Sequence, residues 1–136
     1  MVDTNVISEI RKGARGHPGV AAWWQGVREE DLFLSVLTLG EIRRGIEGVR
    51  PRDPAKAEAL QRWLAAVTGG FAARILPVDA RVADEWGRIN AGRSVPVIDG
   101  WIAATAIVHG LVLVTRNVGD VEGLGVRTLN PFTAGR

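Results

Sequence analysis

Cysteine is absent from this sequence. That excludes a disulfide framework, a thiolate zinc site and a cysteine nucleophile, and it fits a reducing, cytoplasmic setting. Long apolar runs are missing too. None approaches the ~18–20 residues that a membrane-spanning helix needs, and no basic-then-apolar leader suggests secretion. Lysine is scarce: of 17 cationic side chains only Lys12 and Lys56 are lysine, the rest being arginine. Arginine favours forked contacts with phosphate or carboxylate, so a nucleic acid or an acidic partner is permitted without being demanded. Repeats, low-complexity segments and internal linkers are also lacking. A chain of 136 residues, 46% hydrophobic and 24% charged, is most simply one domain, 1–136, with a real core.

What is present is most concentrated between residues 96 and 120, PVIDGWIAATAIVHGLVLVTRNVGD. Asp99 opens a stretch in which Trp101, Ile102, Ala103, Ala106 and Ile107 recur at helical spacing. Gly110 suits the left-handed residue that ends a helix. Leu111, Val112, Leu113 and Val114 then read as a strand covered on both faces. Thr115, Arg116, Asn117 and Asp120 follow where that strand delivers its C-terminal end, the edge at which open α/β sheets build their sites.

The rest of the chain alternates in the same way. Val6, Ile7 and Ile10 pattern a first helix closing near Gly13, and Pro18 begins a second with Val20, Ala21, Trp24 and Val27 inward. Residues 32–36 read as a strand, and Thr38 as the start of a helix that carries Glu41. Asp53-Pro54 starts a further helix with Ala57, Leu60, Trp63, Leu64 and Val67 on its apolar stripe, ending at Gly69-Gly70. Residues 74–78 form a short strand, Asp79 caps a helix through Val82, Trp86 and Ile89, and residues 126–129 close as an edge strand. Strands alternating with helices predict a parallel sheet with helices on both faces. Trp23, Trp24, Trp63, Trp86 and Trp101 all fall in predicted helices, which favours packing over base stacking.

Four carboxylates sit where a strand hands over to a helix or loop: Asp3, Glu41, Asp99 and Asp120. Parallel strands would bring these junctions to one edge, and the resulting cluster would repel itself unless a hard cation lay among its members. Mg²⁺ or Mn²⁺ binds through oxygen and pairs with phosphate substrates; a held cation acidifies a bound water and neutralises charge building on a phosphodiester. Each residue also has a purely structural explanation. Thr38 and Glu41 have the spacing of a capping box, and Asp99 in a first helical turn is favoured by the helix dipole. Asp3 can cap the first helix, Asp120 can belong to a glycine turn, and Thr115 and Asn117 can serve loop backbone. Spacing alone leaves both readings open.

Resemblance to a family goes further. DTNVISEIRKG from Asp3, SVLTLGEIRRGI from Ser35, RILPVD from Arg74, the 96–120 stretch and the closing LNPF resemble the PIN domain of VapC-type toxins, including the FitB-like branch, in order and along essentially the whole chain. The resemblance implies an α/β; three-layer α/β/α sandwich with a central parallel sheet and metal-dependent endonucleolytic cleavage of RNA. By motif, Asp3, Glu41, Asp99 and Asp120 match the family's acidic metal-binding positions, and Asn5, Thr115 and Asn117 its polar pocket positions. The cofactor implied is Mg²⁺ or Mn²⁺. The partners implied are RNA, a small cognate VapB-like antitoxin whose tail covers the acidic site, and a second copy in a homodimer; no membrane is implied. Lys12, Arg43, Arg44 and Arg116 are candidates for phosphate contacts, although Arg43 and Arg44 read equally as a solvated helix face.

Three departures matter. Only Met1 and Val2 precede Asp3, which fits either a misassigned start or a shortened first strand. Gly119 and Val121 flank Asp120 where the family usually has a small residue and Phe. Gly100-Trp101 stands where a small and an aliphatic residue are common, and Trp101 is expected to pack in the core. Rival folds fit less well. A receiver domain needs a lysine after a late strand, and none follows Lys56; a haloacid-dehalogenase-type phosphatase needs D-x-D where Asn5 stands; and His17 and His109 lack partners for zinc. The different-class alternative is a catalytically weak PIN scaffold that mainly binds an antitoxin or RNA.

Overall fold

The structure, a computed structural model, describes residues 1–133; of the expected 1–136 domain, residues 134–136 lie outside the described part. Helices α1 (Thr4–Arg11) and α2 (Pro18–Gly26) precede strand β1 (Leu34–Ser35), which feeds directly into α3 (Val36–Val49). Helix α4 (Pro54–Phe71), strand β2 (Ile75–Leu76) and helices α5 (Ala80–Asn90) and α6 (Val97–Val108) follow, before strands β3 (Leu113–Val114) and β4 (Thr128–Leu129).

Strands β1 and β2 pair in parallel, as do β3 and β4. Residues 1–3 join the two pairs. Val2 forms a parallel bridge with Val114, Asp3 N–H donates to the Val114 carbonyl at 2.9 Å, and Val2 N–H donates to Phe33 at 2.9 Å. Residues 1–3 therefore lie between β1 and β3, in the place expected of a first strand. Side chains on a strand alternate between faces, and here the alternation sorts them into two cores. Val2, Leu34 and Val114 join the cluster under α1–α4, whereas Met1, Leu76 and Leu113 join the one under α5 and α6. That is the α/β/α layering.

Local chemistry sets most helix ends. The Asp53 and Asp79 side chains accept from Lys56 N–H at 3.1 Å and Val82 N–H at 3.0 Å, capping α4 and α5. Gly110, at φ 65°, ends α6 with bonds from its own N–H to Ile107 and from Leu111 N–H to Ala106, the paired closure that a left-handed residue permits. Trp86 and Trp101 stack at 4.5 Å with an interplanar angle of 1° and pin α5 against α6. Trp101 thus packs as its neighbours predict.

Several boundaries differ from expectation. Helix α3 starts at Val36, not Thr38, because the Ser35 hydroxyl accepts from Leu37 N–H at 3.1 Å and takes the cap. Helix α4 runs through Gly69 and Gly70 to Phe71, since packing of buried Val67 and Phe71 outweighs the ~1 kcal/mol cost of a helical glycine. It stops at Ala72, whose φ of 45° is unfavourable for a residue with a Cβ. Ala21 faces solvent rather than the core, the inward arc of α2 being filled by Gly19, Val20 and the two tryptophans.

Candidate functional site

The acidic edge is assembled at the C-terminal ends of the central strands. Asp3 ends the segment of residues 1–3 and becomes the N-cap of α1, which turns its carboxylate back over the sheet edge. It is 5% exposed, and burying a carboxylate demands compensation. Thr4 N–H donates to Oδ1 at 2.8 Å, Thr115 Oγ1 donates to Oδ2 at 2.7 Å, and Asn5 Nδ2 approaches Oδ2 at 3.4 Å. All three donors are neutral, so the negative charge stays uncancelled.

The polar residues form one lattice around that carboxylate. The Thr115 hydroxyl, while donating to Asp3, accepts from Asn117 N–H at 3.0 Å, and Asn5 Oδ1 accepts from Arg116 N–H at 3.1 Å. Asn5 and Thr115, expected at pocket positions, both bond within this network, and Asn117 contributes its backbone. Thr4 was not singled out in the sequence. Its hydroxyl donates to Glu41 Oε1 at 2.6 Å, tying α1 to α3 and aiming Glu41 at the same edge. Its place between Asp3 and Asn5 was the one available signal. Because Ser35 caps α3, Glu41 lies in the second turn and has no capping duty. Thr38 also departs from its expected role: its hydroxyl is buried with no hydrogen-bond partner among the described residues.

Asp99 stands in the first turn of α6, half-buried, behind Pro96, which offers no side-chain cap. Its carboxyl is pushed up to about 6, first by burial and then by the negative charges of Asp3, Asp120 and Glu41, with a hydrogen bond to Asp120 adding to the rise. Asp3, Asp120 and Glu41 thus lie close enough to Asp99 for their charges to act on it. Asp120 is exposed on the short helical turn Val118–Val121, and Val121, 3% exposed, anchors that turn in the core. Among the described residues no three carboxylates close into a ready-made cage; like charges of this kind resist closer approach. The donor set is nevertheless all oxygen, anionic and uncompensated, which fits a hard divalent cation.

The cations expected to meet phosphate separate. Arg43 is engaged by Glu47 at 3.3 Å and Gln61 at 3.0 Å on the α3–α4 surface. Arg116 lies over the Phe132 ring at 4.8 Å, beside the site. Lys12 pairs with Glu9 at 2.8 Å at the far end of α1, and Arg44 is exposed on α3. A cleft of about 360 Å³ lined by Trp24, Leu32, Trp63 and Phe71 lies away from the four acids.

The convergence is directly measurable. In metal-free protein the Asp99 carboxyl, followed by ¹³C NMR, titrates near 6; Glu41→Gln removes one facing charge and lowers that midpoint. An Asp99 midpoint near 4 in the unsubstituted protein would show that the four acids do not converge.

Comparison with known proteins places this geometry in context. The PIN domain profile matches residues 1–119. The chain is similar to the VapC ribonuclease Y4jK of Sinorhizobium fredii, 33% identical over 97% of this chain and 96% of that protein. It is similar to toxin FitB of Neisseria gonorrhoeae, 34% identical over 97% of each chain. Among solved structures, a FitAcB complex from Neisseria gonorrhoeae superposes with a TM-score of 0.88 at 34% identity, covering 97% of each chain.

Proposed function

Because the chain belongs to the PIN domain family, we propose that it is a metal-dependent endoribonuclease acting as the toxin of a toxin–antitoxin pair. One observation carries the reading: Asp99 is held up to about 6 first by burial and then by the facing charges of Asp3, Asp120 and Glu41. A fold gains nothing from so much like charge in one place, whereas a divalent cation there is bound by it. Asp3 and Asp99 are the principal ligands in this proposal, with Glu41 and Asp120 completing or orienting the shell. Mg²⁺ or Mn²⁺ bound there would lower the pKa of a water and neutralise charge building on the phosphodiester. The chain's own contribution is placement. Thr115 and Asn5 hold the Asp3 carboxylate, Thr4 holds Glu41, and Arg116 stands at the rim where a phosphate would enter.

The two relatives carry the words ribonuclease and toxin in their names, and the FitAcB assembly is a complex. On that ground the partners proposed are an RNA substrate, a small cognate VapB-like antitoxin whose tail covers the acidic edge, and a second copy in a homodimer. A single PIN-like domain over 1–136 and a cytoplasmic location belong to the same proposal. Among the described residues no helix is long and apolar enough to cross a membrane.

The test is cleavage of RNA by purified protein with and without divalent metal. Cutting in Mg²⁺ or Mn²⁺ that excess EDTA abolishes is the expected result, and cutting that survives EDTA overturns the metal mechanism. RNA binding without cleavage in either metal would favour the binding-scaffold alternative.

A further inference from the structure

At the opposite end of α1 from Asp3, four cations line one cleft of about 300 Å³: Arg11, Lys12, Arg15 and Lys56. We propose that this cleft is a phosphate-binding subsite for the RNA strand that reaches the acidic edge, a proposal that rests on the ribonuclease reading above. Helix α1 is eight residues long, which at about 1.5 Å per residue sets the cleft about 12 Å from the N-cap Asp3.

The fold does not account for this cluster by itself. The whole chain carries a formal charge of +2, so these four side chains hold more positive charge than the molecule does in net. One carboxylate answers them: Glu9 pairs with Lys12 at 2.8 Å. Among the described residues neither Arg15 nor Lys56 has an ion pair, and Arg11 lies 5.8 Å from the Trp63 ring centroid. Arg11 and Lys12 have a local reason to be where they are, because cations are favoured at a helix C-terminus. Lys56 does not. It lies in the first turn of α4, the end at which the dipole disfavours a cation, and the Asp53 carboxylate nearby is occupied by Lys56's own backbone N–H. Four cations drawn into one concavity repel one another, and an anionic ligand relieves that cost.

The charge layout favours a phosphodiester strand. Helix α1 has carboxylates at its start and cations at its end. A polyanion is repelled by the first and needs the second to remain bound while one of its phosphates is presented to the acids. Arg43, expected to take this role, is engaged by Glu47 and Gln61.

The test uses the double variant Arg15→Gln/Lys56→Gln, whose side chains are exposed. Binding of a fluorescent single-stranded RNA is followed in EDTA at several salt concentrations. The slope of log affinity against log salt is expected to become shallower by about 1.4, roughly 0.7 for each lost phosphate contact. Metal-dependent cleavage of an RNA too short to span ~12 Å is expected to be unchanged, while the KM for a long RNA rises. An unchanged slope in a protein that still cuts RNA overturns the subsite alone. Weaker binding of a polyglutamate probe with an unchanged RNA slope assigns the cleft to an acidic protein and also overturns it. An unsubstituted protein that neither binds nor cuts RNA fails the nuclease reading and takes this proposal with it.

Discussion

Exchanging Asp99 for Asn lowers RNA cleavage by at least about a hundredfold, the scale on which a single preorganised charge-stabilising group acts, while leaving the fold intact. Asparagine keeps the shape and one oxygen donor but removes the charge that completes the acidic edge. The same change lifts a burden from the metal-free protein. The folded-state pKa of Asp99 lies near 6 against an ordinary value of 3.8. The folded state therefore binds the proton more tightly than the unfolded state, and stability is lost as pH rises from about 4 through about 6. Above pH 6 the charged Asp99 works against folding, so in EDTA at pH 7.5 Asp99→Asn is expected to melt at a higher temperature than the unsubstituted protein. Loss of cleavage with a raised Tm separates a functional carboxylate from a structural one. Undiminished cleavage by the variant, from a preparation free of other nucleases, would sink the mechanism. A lowered Tm would mean that Asp99 serves the fold.

Truncating Leu34 to Ala is expected to cost ~2–5 kcal/mol of stability, the range for emptying a buried leucine site, out of ~5–15 kcal/mol for a typical domain. Leu34 is fully buried, pairs with Ile75 in the sheet and faces the core under α1–α4. The next residue, Ser35, caps the helix that carries Glu41, so the cavity opens beneath a functional element. Urea unfolding at fixed protein concentration and in EDTA measures the cost. A loss below about 1 kcal/mol would mean that neighbouring side chains collapse into the space, and the core would then be looser than its burial implies.

Residues whose partners lie close in the chain were readable in advance. Asp53-Pro54 and Asp79 announce helix starts, Gly110 announces an end, and each makes the short-range hydrogen bond that its chemistry suggests. The capping reading of Glu41 failed for an instructive reason. Thr38 and Ser35 offer nearly the same hydroxyl to a helix start, and choosing between them depends on how far the strand before them is held in the sheet. Burial of Leu34 and its pairing with Ile75 make that choice, and Ile75 is far away along the chain. Glycines 69 and 70 misled in the same way, because the packing of Val67 and Phe71 is invisible to local propensity.

By itself the sequence determined the helices, the family pattern and which four acids belong to it, because each depends on residue type and short spacing; Asp99, expected after a strand, instead opens a helix that follows another helix. Only the tertiary structure decided what those acids do to one another. Thr4 reaches Glu41 across 37 positions, Thr115 reaches Asp3 across 112, and Arg43 is drawn to Gln61 across 18. Charge acts through space rather than along the chain, so the raised Asp99 and the cation cleft at the far end of α1 exist only once the sheet has brought distant segments together.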